Sequence, residues 1–283
     1  METVLITGGS GFFGGILKER LLKEGYSCVN IDLIEDDFSH KNLVSIKGDI
    51  RNRDTLSAVF SKYKFVAVHH CAAILAHAVK NKNFLWTSNV DGTKNIADFC
   101  YRYNIKQVTF TSSNCLWAKN FDYKVKESEP ADPIEIYGKS KLEGEKILLE
   151  YKDKFNISIF RCPTIIDYGR LGLLGILFEF INENKTVWTV GDGSNIYQFI
   201  YAQDLADACI KAMSYDETDV FNIGSDNVLS FKEVYEYVIE RAGSLSKVKK
   251  LSKGLTIAAM KLASFLKISP LGPYQYKMIS FNK

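Results

Sequence analysis

In "IEIYGKSKLEGEKILLEY", residues 134–151, Tyr137 stands four residues before Lys141 in a stretch that reads as a helix. Four residues are just over one helical turn, so both side chains project from one face. A phenol beside an ammonium group can exchange a proton with an alcohol if its pKa, about 10, is drawn toward neutrality. A shift of roughly three units corresponds to about 4 kcal/mol of preference for the phenolate. A nearby cation supplies such a preference, more strongly where water is excluded. The same spacing also arises on ordinary helices as an aromatic ring beside a solvated amine. The two cases differ in whether the rest of the chain places a cofactor next to the pair.

The N-terminus addresses that point. In "VLITGGSGFFGG", Gly8, Gly11 and Gly14 follow an apolar run that reads as a strand and open a helical pattern. Glycine suits a tight turn, a backbone that approaches a pyrophosphate, and a helix packed close to a strand. The N–H groups at the helix N-terminus then face negative charge, and Phe12 belongs to this cofactor-binding set. Eighteen residues beyond Gly14, the second strand ends in Asp32. A carboxylate there accepts hydrogen bonds from ribose hydroxyls and repels a 2′-phosphate. Glu35, Asp36 and Asp37 add negative charge, and no arginine lies nearby, so the expected cofactor is NAD rather than NADP. Asp49 and Ile50, in "GDIRN", are placed for the adenine edge. Ala72 and Ala73, in "HCAA", let backbone lie against the cofactor. The adjacent His69 and His70 lie on a buried strand and read as packed residues rather than catalytic ones.

These residues need a frame. The N-terminal half alternates apolar runs ("TVLIT", "SCVNIDL", "LVSIKGD", "FVAVHHCAA", "QVTFTSS", "ISIFRCP") with helical patterns at about 13–24, 53–61, 83–103 and beyond Tyr137. Strands separated by helices predict βαβ units, a parallel sheet covered on both faces, and right-handed crossovers. The expected class is α/β, a doubly wound Rossmann sheet with a smaller C-terminal substrate-binding lobe. The division expected is 1–168 for the NAD-binding domain and 169–283 for the lobe, with parts near 196–222 returning to the main sheet. No Pro/Ser-rich linker separates the two, so a shared interface is expected, where small-molecule sites tend to sit.

Composition narrows the classes. With 283 residues, 46% apolar, 24% charged and a net charge of +3, the chain is of ordinary globular type. One short basic stretch, "SKVKKLSK", does not call for nucleic acid. The six cysteines form no CxxC and no metal-ligand spacing, which fits a reduced, cytosolic protein. The first strand begins at once, leaving no room for a signal peptide. The longest apolar stretch, "LTIAAMKLASFL" at 255–266, carries Lys261 and reads as a packed lobe helix, so no membrane span is expected.

Taken in order, "TGGSGFFG", the acidic residue at 32, "GDI", "HCAA", "NVDGT" (89–93), "SSN" (112–114), "YGKSK" (137–141), the Arg-Pro strand end at 161–163, "GDGSNIYQFIYAQDLADA" and "FNIGS" resemble the extended short-chain dehydrogenase/reductase family. The resemblance covers most of the chain and lies with its nucleotide-sugar epimerase/dehydratase branch. It implies a Rossmann core, bound NAD and a nucleotide-activated sugar as substrate. It makes Tyr137 the acid/base, Lys141 the group on the nicotinamide ribose and Ser113 the hydroxyl that hydrogen-bonds the reacting sugar oxygen. Asn89 and Pro163 join the cofactor set, and helices at 83–103 and 139–154 are expected to pair across a homodimer. The activity expected is C4 epimerisation through a 4-keto intermediate. The alternatives are a keto-sugar reductase or hydroxysteroid-type dehydrogenase, and a catalytically inactive NAD-binding regulatory module.

Several positions depart from the family pattern. Dehydratases of this family carry an Asp-Glu pair after the serine or threonine; here Asn114 and Cys115 stand there, which argues against elimination chemistry. Reductase/epimerases of 4-keto-6-deoxy sugars place a cysteine at the offset of Cys115 with a distant histidine. The histidines here, His40, His69, His70 and His77, all fall outside the lobe, so Cys115 reads as a packed residue lining the cleft. Trp117 replaces a usual tyrosine, Thr164 a substrate-contacting asparagine, and Gln198 an arginine that holds the diphosphate. A neutral amide grips an anion less strongly than a guanidinium, and Arg170 is the candidate to supply that charge. The chain also stops at "MISFNK", earlier than the resemblance implies.

Overall fold

The computed structural model describes all residues except 76–79, 118, 120, 122, 171–172, 253, 257 and 259–283. Most of the helix expected at 255–266 therefore lies outside the described residues. The elements run β1 (Thr3–Thr7), α1 (Phe12–Lys23), β2 (Ser27–Asp32), β3 (Leu43–Lys47), α2 (Arg53–Lys62), β4 (Ala67–His70), α3 (Lys82–Asn89), α4 (Asp91–Arg102) and β5 (Gln107–Ser113). They continue with α5 (Ile136–Leu149), β6 (Asn156–Cys162), β7 (Thr164–Ile166), α6 (Leu173–Asn182), β8 (Val187–Val190), β9 (Phe199–Tyr201), α7 (Ala202–Ala212), β10 (Asp219–Asn222), α8 (Phe231–Ala242) and β11 (Val248–Leu251).

The chain divides into two compact units. The first comprises Met1–Ala118, Lys126–Ile165 and Ile200–Ile223; the second comprises Lys119–Val125, Ile166–Phe199 and the chain from Gly224. The first unit is built on a seven-stranded sheet of order β3-β2-β1-β4-β5-β6-β10. Every pairing in it is parallel. Both faces are covered, as near-continuous apolar strands require. On one face Val4 and Ile6 pack with Leu17 and Leu21 of α1 and Leu205 and Cys209 of α7. On the other, Leu5, Val68 and Val108 pack with Leu56 of α2, Ile96 of α4 and Leu148 of α5. Each such side chain contributes roughly 1.5–3 kcal/mol by leaving water. The strand order reverses between β1 and β4, so their carboxyl ends open the crevice where ligands bind in doubly wound sheets.

The second unit has its own small core of Ile181, Val187, Phe231 and Tyr235, with β11 parallel to β8. Its helix α8 begins with a capping box, Ser230 with Glu233, and ends at Gly243 in the left-handed region. All six cysteines are free thiols.

One expected element is broken. The helix expected at 83–103 is two helices, α3 and α4, meeting at Val90. Two side chains hold the bend. Thr93 donates its hydroxyl proton to the Asn89 carbonyl oxygen at 2.6 Å, and the Asn89 amide leaves the helix to bind the backbone of Ile74.

Candidate functional site

Gly8 has φ +79°, and a Cβ on it would lie 2.7 Å from the Ala72 backbone. A Cβ on Gly14 would lie 2.1 Å from the Gly8 carbonyl oxygen. The turn after β1 is thus wedged between the end of β4 and the first turn of α1, and only hydrogen fits at these two places. The N–H groups of Phe13 and Gly14 fall in that first turn, where no carbonyl four residues back exists within the helix. They point the positive end of the α1 dipole out of the turn. Ala72 and Ala73 follow Cys71 just beyond the end of β4, across the switch point. This cradle of small residues and helix-terminal donors fits a dinucleotide pyrophosphate.

At the end of β2, Asp32 accepts from the Ser10 N–H at 2.9 Å and the Ile34 N–H at 3.2 Å. One bond reaches each carboxylate oxygen, so each keeps a lone pair for a ribose hydroxyl. The neighbouring Asp36 does something else. Burial works against its charge, but bonds from Lys18, the Phe38 N–H and Ser45 outweigh burial and hold its carboxyl below the ordinary range. Lys18, only 2% exposed, donates to Asp36 at 2.5 Å. Asn30 joins the cluster, donating to Asp36 and Ser10 and accepting from the Gly9 N–H. The cluster therefore braces the glycine turn from behind. Asp49 carries a partner that the sequence reading did not assign: Arg51 folds back on its carboxylate and holds it below the ordinary range. Ile50, beside it, is buried.

The proton-transfer end is built on β5 and α5. Tyr137 is half-buried in the first turn of α5, and Lys141 lies one turn on, on the same face. The Lys141 ammonium is 2% exposed, donates to the Thr111 carbonyl oxygen at 2.7 Å and sits 4.5 Å above the Phe110 ring. Burial lowers its pKa from 10.5 to about 8, against the opposing pull of Cys71, Cys162 and Glu145. It still carries its proton at neutral pH, in a place where its field is little screened. Ser113 ends the same strand two residues beyond Thr111, and its hydroxyl accepts from the Cys115 N–H at 3.2 Å. A Cβ on Gly138 would lie 2.4 Å from the Cys115 carbonyl oxygen, so the glycine beside Tyr137 lets the Ser113–Cys115 turn close onto α5. Lysine, tyrosine and serine are thereby brought to one end of β5.

Beneath them lies a buried ion pair. Glu145, one turn beyond Lys141, accepts from the Ser112 hydroxyl at 2.5 Å and pairs with Arg161 at 2.8 Å. Arg161 also donates to the Glu127 carbonyl and covers the Trp117 ring. The signal was present: Tyr137, Lys141 and Glu145 form an i, i+4, i+8 series, and Arg161 precedes Pro163.

Other expected residues have different surroundings. The Asn89 amide donates to the Ile74 carbonyl and the Ser140 hydroxyl, and accepts from the Ile74 N–H. It shapes the loop beside Ala72 and Ala73. Gln198, in the second unit, donates to the Ser225 carbonyl and accepts from the Phe199 and Ser225 N–H groups. Its carboxamide is committed to backbone. Arg170 is exposed in a turn closed with Asp167. Pro163 and Thr164 follow the end of β6, and Asn114 and Cys115 form the short turn after Ser113. His69 and His70 are wholly buried, and burial lowers both to about 3, far from a general base at neutral pH. Among the described residues no group of three His, Cys, Asp or Glu side chains is placed to hold a metal, and no helix is long and apolar enough to cross a membrane.

A parallel doubly wound sheet with a glycine turn at its switch point, and a Ser/Tyr/Lys set at the next strand end, defines a nicotinamide-dependent member of the short-chain dehydrogenase/reductase class. The family model of the NAD dependent epimerase/dehydratase family matches residues 4–224, and the chain belongs to that family. NAD is accordingly its cofactor. The uncharacterized protein y4nG of Sinorhizobium fredii is 35% identical over 280 residues, covering 98% of this chain and 70% of y4nG. A putative UDP-glucose 4-epimerase of Methanocaldococcus jannaschii is 26% identical, covering 85% of this chain and 82% of its own. Among solved structures, the UDP-glucose 4-epimerase of Thermotoga maritima, with UDP-glucose, superposes with a TM-score of 0.76 at 23% identity over 89% of this chain and 87% of that one.

Proposed function

We propose that the protein is an epimerase of a nucleotide-activated sugar, acting at C4 through a 4-keto intermediate. The observation that carries this is the buried Lys141 ammonium, one turn from Tyr137 and bonded to the strand that ends in Ser113. When bound, NAD supplies a hydride acceptor and donor at the sugar carbon. The chain's own residues handle the proton. Tyr137, its phenolate favoured by the Lys141 charge, takes the proton from the C4 hydroxyl, and Ser113 holds that oxygen by a hydrogen bond. The same phenol returns the proton after the keto sugar has presented its other face. Gly8, Gly11, Phe12 and Gly14 hold the pyrophosphate, Asp32 the adenosine ribose, Asp49 and Ile50 the adenine, and Ala72, Ala73 and Pro163 line the path to Lys141. Asn114, Cys115, Thr164 and Arg170 are the substrate-side candidates.

The epimerase names of the Methanocaldococcus and Thermotoga relatives support this reading. The expected homodimer would pair the helices of 83–103 (α3 and α4) and 139–154 (α5) across its interface, and a monomer in light scattering would remove that reading. The function is tested by incubating NAD-loaded protein with UDP-glucose, UDP-N-acetylglucosamine and their C4 epimers. Interconversion of one pair without net change at the reduced-nicotinamide absorbance band is expected. Stoichiometric NADH production would replace it with a dehydrogenase. Tyr137→Phe is expected to abolish turnover, typically by a factor of about 10²–10⁴ for a lost acid/base, while NAD stays bound.

A further inference from the structure

A continuous chain of hydrogen bonds, buried at its centre and part-buried at its ends, joins the glycine-turn strand to the catalytic helix, with His70 in its buried part. His70 is 0% exposed and stacked on Phe110, the ring that carries the Lys141 ammonium. Its Nδ1 lies 2.7 Å from the Thr7 hydroxyl and its Nε2 lies 2.8 Å from the Thr93 hydroxyl. The Thr93 hydroxyl lies 2.6 Å from the Asn89 carbonyl oxygen. Two oxygens that close need a proton between them, and only Thr93 has one to give. Thr93 must then accept from His70, which places the imidazole proton on Nε2. Nδ1 accepts from the Thr7 hydroxyl, whose oxygen in turn faces the Ala72 N–H at 3.3 Å. Beyond Asn89 the chain continues. Its amide donates to the Ser140 hydroxyl at 3.0 Å, and Ser140 donates to the Tyr137 carbonyl oxygen at 2.7 Å.

We propose that His70 is a positioning residue: as a neutral imidazole protonated on Nε2, it locks the end of β1 and the Ala72 backbone to the α3–α4 bend, and through Thr93, Asn89 and Ser140 sets the backbone of Tyr137. Every hydroxyl in the chain has one donor role and one acceptor role, so reversing or removing one member frustrates the next. Burial disfavours the imidazolium, and Lys141, the charged group that bears on the ring, opposes it further. The chain of bonds reaches Tyr137 at its main-chain carbonyl oxygen, not at its phenol. The inference rests on Tyr137 as the acid/base of the proposed reaction, while its central readouts need no turnover.

The test is long-range ¹⁵N–¹H correlation on histidine-labelled protein, with amide hydrogen exchange at Ala72 and Ile74. His70 is expected as a single Nε2–H tautomer from pH 6 to 9. A variant at His70 itself risks misfolding, so the perturbation is Thr93→Val, which removes one hydroxyl from a buried, near-isosteric side chain. It is expected to mix or reverse the tautomer, raise exchange at Ile74 at least tenfold, and lower kcat at least tenfold with KM for the sugar nearly unchanged. An Nδ1–H or cationic His70 in the wild type overturns the proposal. So does a folded Thr93→Val protein with wild-type tautomer and exchange. Should no sugar be turned over, the function reading fails while the tautomer and exchange results still decide the role of His70.

Discussion

Replacing Lys141 with methionine separates what this residue costs from what it does. The lysine stem is kept in shape and the charge is removed. Each pKa unit is ~1.4 kcal/mol, so lowering the lysine from 10.5 to about 8 sets the cost of its charge at neutral pH at roughly 3 kcal/mol. Methionine also gives up the bond to the Thr111 carbonyl oxygen, worth about 1 kcal/mol. The first effect wins, and the variant is expected to be more stable by about 2 kcal/mol at pH 7. At ~2.1 cal/mol/K per residue, 283 residues unfold with ~0.6 kcal/mol/K of entropy, so the gain is about 3 °C in Tm. The pH dependence follows from the sign of the shift. Between about 8 and 10.5 the unfolded chain keeps the Lys141 proton that the folded chain has released, so wild-type stability rises with pH across that window. The variant lacks this rise, so the gap closes at about pH 9.5 and turns to about 1 kcal/mol in favour of the wild type by about pH 10.5. Thermal unfolding of NAD-stripped wild type and Lys141→Met from pH 7 to 10.5 reads both effects, and turnover by the variant should fall at least a hundredfold. A variant less stable than wild type at pH 7, or a gap that does not shrink with pH, would refute the burial argument.

Three further outcomes follow from the geometry. Glu145→Gln breaks a pair whose side chains are 2% and 10% exposed, so a loss of about 3–5 kcal/mol and roughly 5–8 °C is expected, whereas Glu145→Leu with Arg161→Met should recover most of it in a double-mutant cycle. Gly14→Ala places a Cβ 2.1 Å from the Gly8 carbonyl oxygen, and protein purified with this change should carry no NAD by absorbance of the released nucleotide. Asp32→Ser removes the carboxylate opposite the exposed Lys47 and should improve NADP binding relative to NAD at least tenfold by calorimetry.

The sheet was legible because its central strands β1, β2, β4, β5 and β6 are buried on both faces and read as largely apolar runs, from "TVLIT" to "ISIFRCP". Gly8 and Gly14 were legible as a turn because backbone geometry admits few alternatives where a strand runs straight into a helix. The Tyr137–Lys141 pair was legible as a spacing. The rest depends on partners distant in sequence. Nothing local to Val90 shows that Asn89 will leave its helix to reach Ile74. Asp36 read as one of three added negative charges beside Asp32, but Lys18, on the preceding helix, pairs with it and neutralises it. Gln198 read as a substituted anion grip, yet its amide is taken by the backbone of Phe199 and Ser225. His70 read as a packed residue; its burial agrees, and the direction of its hydrogen bonds could come only from coordinates.

The proposed chemistry moves one hydride off C4 and back to the same carbon, with Tyr137 handling only the hydroxyl proton. The most direct measurement is therefore made in deuterium oxide: NAD-loaded protein is incubated with a UDP-sugar that it epimerises, and the C4 position of the product is read by NMR. Inversion at C4 with no solvent deuterium on that carbon is the result predicted. Deuterium at C4, or no inversion of any UDP-sugar by protein shown to hold NAD, would contradict it.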